Sequence, residues 1–91
     1  MRESAIEKAV CDYARKQGCI VMKLAGPNQK GQPDRMFLYK GRALFIEFKA
    51  KSKKPSPLQE RWLRQLDEAG FDTYVCDDVQ FGKLRIDLFT Q

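Results

Sequence analysis

The sequence predicts an α/β domain in which a mixed four-stranded sheet is flanked by helices, in the order α-β-β-β-α-β-α. Three observations predict it. An amphipathic helical period runs over residues 3–17, two strand-like runs meet at a tight Lys40-Gly41 turn, and the helix start Ser56-Pro57-Leu58-Gln59 separates that hairpin from another apolar run, Phe71 to Cys76. A hairpin is antiparallel, whereas strand, crossover helix and strand in one sheet normally form a right-handed parallel unit, so the sheet is mixed. The 91 residues suffice for one small domain, residues 1–91, and not for two.

The elements follow in order. In the first helix Ile6, Ala9, Val10 and Tyr13 recur at three- and four-residue spacing on one face, and Gly18 stands in the usual terminating position. Glu7 projects about 100° from Ile6, at the margin of this stripe, where a carboxylate can reach over the edge of a sheet. Cys19 to Leu24 is a β-branched and apolar run, the first strand. Residues 25–33 form a breaker-rich loop, and Pro33 can open the next strand, where no ladder donor is required.

The hairpin runs from Asp34 to Lys49. If Lys40 and Gly41 form a two-residue loop, Tyr39 sits opposite Arg42 and Asp34 lies across from Glu47. A three-residue turn with a glycine bulge would shift that pairing by one. Beyond it, Lys51-Ser52-Lys53-Lys54-Pro55 is an exposed basic segment. Ser56 then serves as N-cap, Pro57 as the first helical residue and Gln59 as the capping-box partner of a helix that continues through Trp62, Leu63 and Leu66 to Gly70. The strand carrying Glu47 is expected to run parallel to that of Val75. In the tail 78–91, Asp77-Asp78 followed by Val79, Phe81 and Leu84 suits a helix with an acidic start, although Leu84 to Leu88 alternates like a strand; helix is the favoured reading.

Composition removes several chemistries. There is no histidine, so a Ser-His or Cys-His nucleophile pair, a His-ligated zinc and an imidazole base are excluded within this chain. Cys11, Cys19 and Cys76 lack CxxC spacing and sit in apolar stretches, as buried thiols of a reducing, cytoplasmic compartment do. No signal-peptide pattern and no apolar run near ~18 residues is present, so neither secretion by that route nor a membrane partner is expected. The net charge of +5, from 17 Lys and Arg against 12 Asp and Glu, favours a polyanion as partner.

The chemistry concentrates in the hairpin. Side chains alternate along a strand, so Asp34, Glu47 and Lys49 share one face while Leu44, Ile46 and Phe48 take the other. Two opposed carboxylates destabilise a fold unless a cation sits between them, and a divalent metal is the obvious candidate. Each feature alone has a plainer reading: an Asp after Pro is commonly a turn residue, and Glu-x-Lys on a strand is commonly a solvated ion pair. Their conjunction on one face, with Glu7 on a helix that must cover this sheet, favours a site.

Gly31-Gln32-Pro33-Asp34, followed by Glu47-Phe48-Lys49, resembles the GxPD…ExK signature of the PD-(D/E)XK nuclease superfamily, and more narrowly its virus-type replication-repair nuclease domain, VRR-NUC, in standalone form. The resemblance covers nearly the whole chain and implies a restriction-endonuclease-like core. It further implies that Asp34 and Glu47 bind Mg²⁺ or Mn²⁺ with the Phe48 carbonyl, that Glu7 contributes directly or through water, and that Lys49 orients the attacking water. Gln59 has two readings, as capping-box partner or as part of the active-site surroundings.

Lys23, Lys30, Lys51, Lys53 and Lys54 border the site and read as a patch that tracks a DNA backbone. Trp62 and the phenylalanines read as core rather than base-stacking residues. The activity implied is metal-dependent, structure-selective DNA cleavage, with the resemblance pointing to branched, Holliday-junction-like DNA and a homodimer. The alternatives are a nickase or flap- or end-directed repair nuclease, and an inactive nucleic-acid-binding module of the same fold.

Overall fold

The computed structural model describes residues 1–24 and 30–91, so the breaker-rich stretch 25–29 lies outside the described residues. The elements are α1 (Glu3–Lys16), β1 (Ile20–Lys23), β2 (Arg35–Tyr39), β3 (Arg42–Phe48), α2 (Pro57–Glu68), β4 (Asp72–Cys76) and α3 (Val79–Phe89). The order is that expected, with the first strand shortened at both ends. Helix α1 stops where Gly18, at φ +96°, lets the Cys19 N–H reach back to the Ala14 carbonyl at 3.0 Å.

The strands lie in the order β1-β2-β3-β4. Strands β1 to β3 are antiparallel and β4 runs parallel to β3, with Glu47 beside Val75 as expected. Lys40 and Gly41 take φ values of 46° and 78°, the two positive values of a type I′ turn. The two-residue loop therefore holds, Tyr39 faces Arg42, and the ladder runs in direct register to Arg35 opposite Ile46.

One face of the sheet carries the core. Phe37, Leu44, Ile46 and Phe48 are fully buried against Ile6 and Val10 of α1 and against Ile86 and Phe89 of α3. Gly82 is the point of closest approach, since a Cβ there would stand 2.6 Å from Val10 Cγ2 and 2.8 Å from Cys76 Sγ. The tail is helical because the Asp78 carboxylate accepts the Phe81 N–H at 2.9 Å as an N-cap, and its strand-like alternation is a two-sided helix. Gly82, Ile86 and Phe89 face inward, while Phe81, Leu84 and Leu88 stay exposed.

The other face is covered only in part. Helix α2 packs beside β4, and none of its residues is fully buried. Trp62 is half-buried, and Phe71 and Phe81 are exposed, which corrects the expectation that all the phenylalanines are core. The physical reason is coverage: Phe71 enters β4 on the face that α2 covers only in part, and Phe81 lies on the side of α3 turned away from the sheet. Cys11, Cys19 and Cys76 are free and buried. Among the described residues no helix is long and apolar enough to cross a membrane.

Candidate active site

The site forms where the hairpin ladder ends. In direct register the residue after the Arg35–Ile46 pair in the bonding pattern would be Pro33 opposite Phe48, and proline has no N–H to give to the Phe48 carbonyl. Pro33 is fully buried, and the chain turns at Asp34 so that its side chain takes over the strand's role. Asp34 Oδ2 accepts the Phe48 N–H at 2.8 Å. The next amide, Lys49 N–H, points the other way and bonds the Cys76 carbonyl of β4 at 2.9 Å. The bend at Pro33-Asp34 thus anchors the first acid directly on the strand that carries the second.

Glu47 is 2% exposed, the one buried charged residue among those described. Its Oε2 accepts from Gln59 Nε2 at 2.8 Å and lies 3.5 Å from Lys49 Nζ, whereas its Oε1 is buried with no partner. Burial, and then the charge of Asp34, push the Glu47 carboxyl up to about 7 against the pull of Lys49. Asp34 is also raised, first by burial, opposed by the Phe48 N–H and reinforced by the charge of Glu7. A buried and a partly buried carboxylate that both resist ionisation, the buried one with an orphan oxygen, are the donor set that a hard divalent cation satisfies. The residues present fit such an ion.

Gln59 resolves its two readings by filling both. Its Oε1 accepts the Ser56 N–H at 2.8 Å, and its backbone N–H donates to Ser56 Oγ at 3.2 Å, completing the capping box. A backbone N–H can only donate, so Oε1 must face Ser56 and the amide nitrogen must face Glu47. The cap sets the orientation of the amide, and the amide hands a fixed donor to the buried acid.

Glu7 is placed differently. Arg35 is paired with Ile46 and so shares the core face, opposite to that of Glu47, and Glu7 Oε2 accepts from Arg35 Nε at 2.6 Å. Among the described residues no three acids or cysteines converge closely enough to hold a metal together. The structure therefore brings Asp34, Glu47, Lys49 and Gln59 together beside Phe48, and leaves Glu7 engaged with Arg35. Arg35 is the residue that sequence reasoning missed, although its position next to Asp34 on the face of α1 was a usable signal. Lys23, Lys30, Lys51, Lys53 and Lys54 are all exposed, and Lys51 Nζ stands 3.8 Å from Asp78.

Comparison with known proteins places this geometry. The model of the VRR-NUC domain family matches residues 24–80, a span that holds Asp34, Glu47, Lys49 and Gln59 but not Glu7. The chain is 38% identical over 85 residues to the protein named "Putative nuclease p44" of Acyrthosiphon pisum secondary endosymbiont phage 1, covering 92% of this chain and 91% of that one. A solved VRR_NUC domain superposes with a TM-score of 0.83 at 25% identity, covering 93% of this chain and 94% of the other. A second solved VRR_NUC domain protein gives 0.76 at 17% identity, over 100% and 87%, a likeness of fold.

Proposed function

The chain belongs to the VRR-NUC domain family, and from that premise we propose that it is a metal-dependent, structure-selective DNA endonuclease that hydrolyses phosphodiester bonds, with branched DNA of the Holliday-junction type as its substrate. The observation that carries the reading is the buried, unpartnered Glu47 Oε1 beside Asp34, with the Lys49 ammonium 3.5 Å from the other oxygen of the same carboxylate.

In this reading Asp34, Glu47 and the Phe48 carbonyl would hold Mg²⁺ or Mn²⁺. When bound, the ion polarises the scissile phosphate and lowers the pKa of a water molecule, work for which this chain has no histidine. Lys49 orients the attacking water and stabilises the charge that develops on the phosphoryl oxygens. Gln59 holds Glu47 in the orientation that leaves Oε1 free. Glu7 is a flanking acid whose charge is felt at Asp34 and which Arg35 keeps paired. Lys23, Lys30, Lys51, Lys53 and Lys54 contact the DNA backbone without reading sequence.

Two nicks placed symmetrically in a junction need two active sites, which a homodimer supplies. The exposed stripe Phe81, Leu84 and Leu88 on the outer side of α3 supports a covered face there, because a helix that is apolar on both sides normally packs on both.

The test is cleavage of labelled four-way junction, flap, nicked and linear DNA, side by side, by the wild type and Asp34→Asn in Mg²⁺, Mn²⁺ or EDTA. The wild type is expected to cut the junction in either metal and not in EDTA, and the variant to bind without cutting. Equal cutting by both proteins removes the metal-site assignment, and equal cutting of all substrates removes the junction selectivity. Preferential cutting of flap or nicked DNA favours a repair nickase, and binding without any metal-dependent cleavage leaves a nucleic-acid-binding module.

A further inference from the structure

Helix α2 bears the residue that orients Glu47, yet it has no fully buried residue to hold it in place. Its inner edge is fitted instead to the backbone of the loop that leads into Asp34. Gly31 takes φ +83°, and a Cβ built there would stand 2.5 Å from Leu58 Cγ, 3.0 Å from Leu58 Cδ2 and 3.1 Å from Trp62 Cδ1. Leu58 is the residue before Gln59, and it carries the contact straight to the amide that grips Glu47.

The contacts close into a ring. Gly31 seats Leu58 and Trp62; Gln59 donates to Glu47; the next strand residue, Phe48, donates to Asp34; and Asp34 returns through the fully buried Pro33 to Gly31. Both acids of the candidate metal pair lie in this ring. Their relative placement is therefore set by the strand between them and, independently, by how closely α2 approaches residue 31.

We propose that Gly31 is a positioning residue for the carboxylate pair: the absence of a side chain at this position lets α2 seat deeply enough for Gln59 to reach Glu47. The proposal rests on the metal-site reading of Asp34 and Glu47. A methyl group at residue 31 must move Leu58 by about 1 Å to restore an ordinary contact distance. Leu58 is 44% exposed, so the shift falls either on that side chain or, through the half-buried Trp62 at 3.1 Å, on the helix; on the helix it breaks the Gln59–Glu47 bond, which begins at 2.8 Å. Glu47 then has neither a fixed donor nor a fixed orientation, and metal affinity falls although no proposed ligand has been changed.

The experiment uses the full chain as wild type, Gly31→Ala, Leu58→Ala and the double variant. Trp62 is the single tryptophan and touches the position concerned, so its fluorescence reports the seating of α2 without metal or substrate. Mn²⁺ binding by calorimetry reports the acids, and thermal unfolding reports the fold. Gly31→Ala is expected to red-shift the Trp62 emission and to weaken Mn²⁺ binding by about tenfold, whereas Leu58→Ala alone stays near wild type.

The double variant makes room for the added methyl and is expected to recover both readouts, even if Gly31→Ala alone folds too poorly to measure. Unchanged emission and binding in Gly31→Ala, with Leu58 simply turning aside into solvent, would overturn the proposal. So would a double variant as impaired as Gly31→Ala, because the defect would then be backbone strain at positive φ and not the contact. A wild type that binds no Mn²⁺ removes the metal-site reading and this role with it, whereas a wild type that binds while all variants match it removes the role of Gly31 alone.

Discussion

Gln59 Nε2 donates to Glu47 Oε2 at 2.8 Å while the opposite end of the same amide accepts the Ser56 N–H, also at 2.8 Å. The first bond joins the second helix to the only buried charge described, and the second is what keeps the amide from turning over. Helix termination and active-site orientation are thus one hydrogen-bonded unit. They can be separated by substitution.

Gln59→Glu keeps a capping-box residue but replaces the donor with a second carboxylate, whereas Gln59→Ala removes both functions. Gln59→Ala is expected to cost about 0.5–2 kcal/mol of stability and about 10- to 100-fold in metal affinity. Gln59→Glu should keep the cap but set a second carboxylate against Glu47, so that in EDTA it unfolds below the wild type at about pH 8 and recovers as pH falls and the acids are protonated. Thermal unfolding beside Mn²⁺ titration of the two variants checks this. Equal stability losses in both at low pH, where the acids are protonated, would mean that the cap function is not separable from the contact with Glu47.

The pH dependence of the metal-free protein follows from the same carboxyl. Glu47 is raised from 4.5 to about 7, so the folded chain holds its proton where the unfolded chain has released it. The stabilising contribution is fully present below the unfolded value and is lost as pH rises through about 7; the upward shift of Asp34 has the same sign. In EDTA the unfolding free energy, and the unfolding temperature with it, should fall as pH rises from 4.5 to about 7, by on the order of 3 kcal/mol for Glu47. Glu47→Gln should flatten that slope, and Mn²⁺ should stabilise the wild type more at pH 8 than at pH 5.

Lys49 Nζ stands 3.5 Å from Glu47 Oε2 and is mostly shielded from solvent. Lys49→Met removes the proposed charge stabilisation and is expected to lower kcat by about 100- to 1,000-fold. Lys49→Arg should be nearly as damaging, since the planar guanidinium is bulkier and sits differently from an ammonium. Single-turnover cleavage of a junction, with DNA binding measured separately, distinguishes lost chemistry from lost affinity. An active Lys49→Arg would remove the positional argument for this lysine.

The Glu7–Arg35 pair, at 2.6 Å and 20% exposed on each side, crosses from α1 to β2 directly behind Asp34. A double-mutant cycle of Glu7→Gln and Arg35→Met should return a coupling energy of at least about 0.5 kcal/mol. Arg35→Met alone should weaken metal binding less than Asp34→Asn does, because Arg35 acts on Asp34 by charge at a distance and through Glu7, without removing a proposed ligand. Chemical denaturation for the cycle and calorimetry for the metal are the measurements.

Much of this architecture is legible in the residues themselves. The Lys40-Gly41 pair suggests a tight hairpin, and positive φ at both residues, which matches the strand twist, is what fixes the register of β2 on β3. The Ser56-Pro57-Leu58-Gln59 start and the crossover rule place Glu47 beside Val75 for equally local reasons. Asp34, Glu47 and Lys49 could be drawn together on that basis, since each lies on an element whose pairing is written in short-range pattern, whereas Gln59 stays open between helix cap and site. The exposed Phe71 and Phe81 could not be anticipated, because hydrophobicity does not say which face lacks a covering helix.

By itself, then, the sequence determined the order of elements and the hairpin that carries the two acids, and it left the register of that hairpin between two turn types. Only the tertiary structure decided that Glu7 is claimed by Arg35 on the core face, that one oxygen of Glu47 is gripped and the other left bare, and that the loop at Gly31 packs against α2. Backbone pattern is settled by neighbours a few residues away. The partner of a buried charge is settled by which distant elements pack within about 3 Å of it, and that distance depends on the volume of every side chain between them.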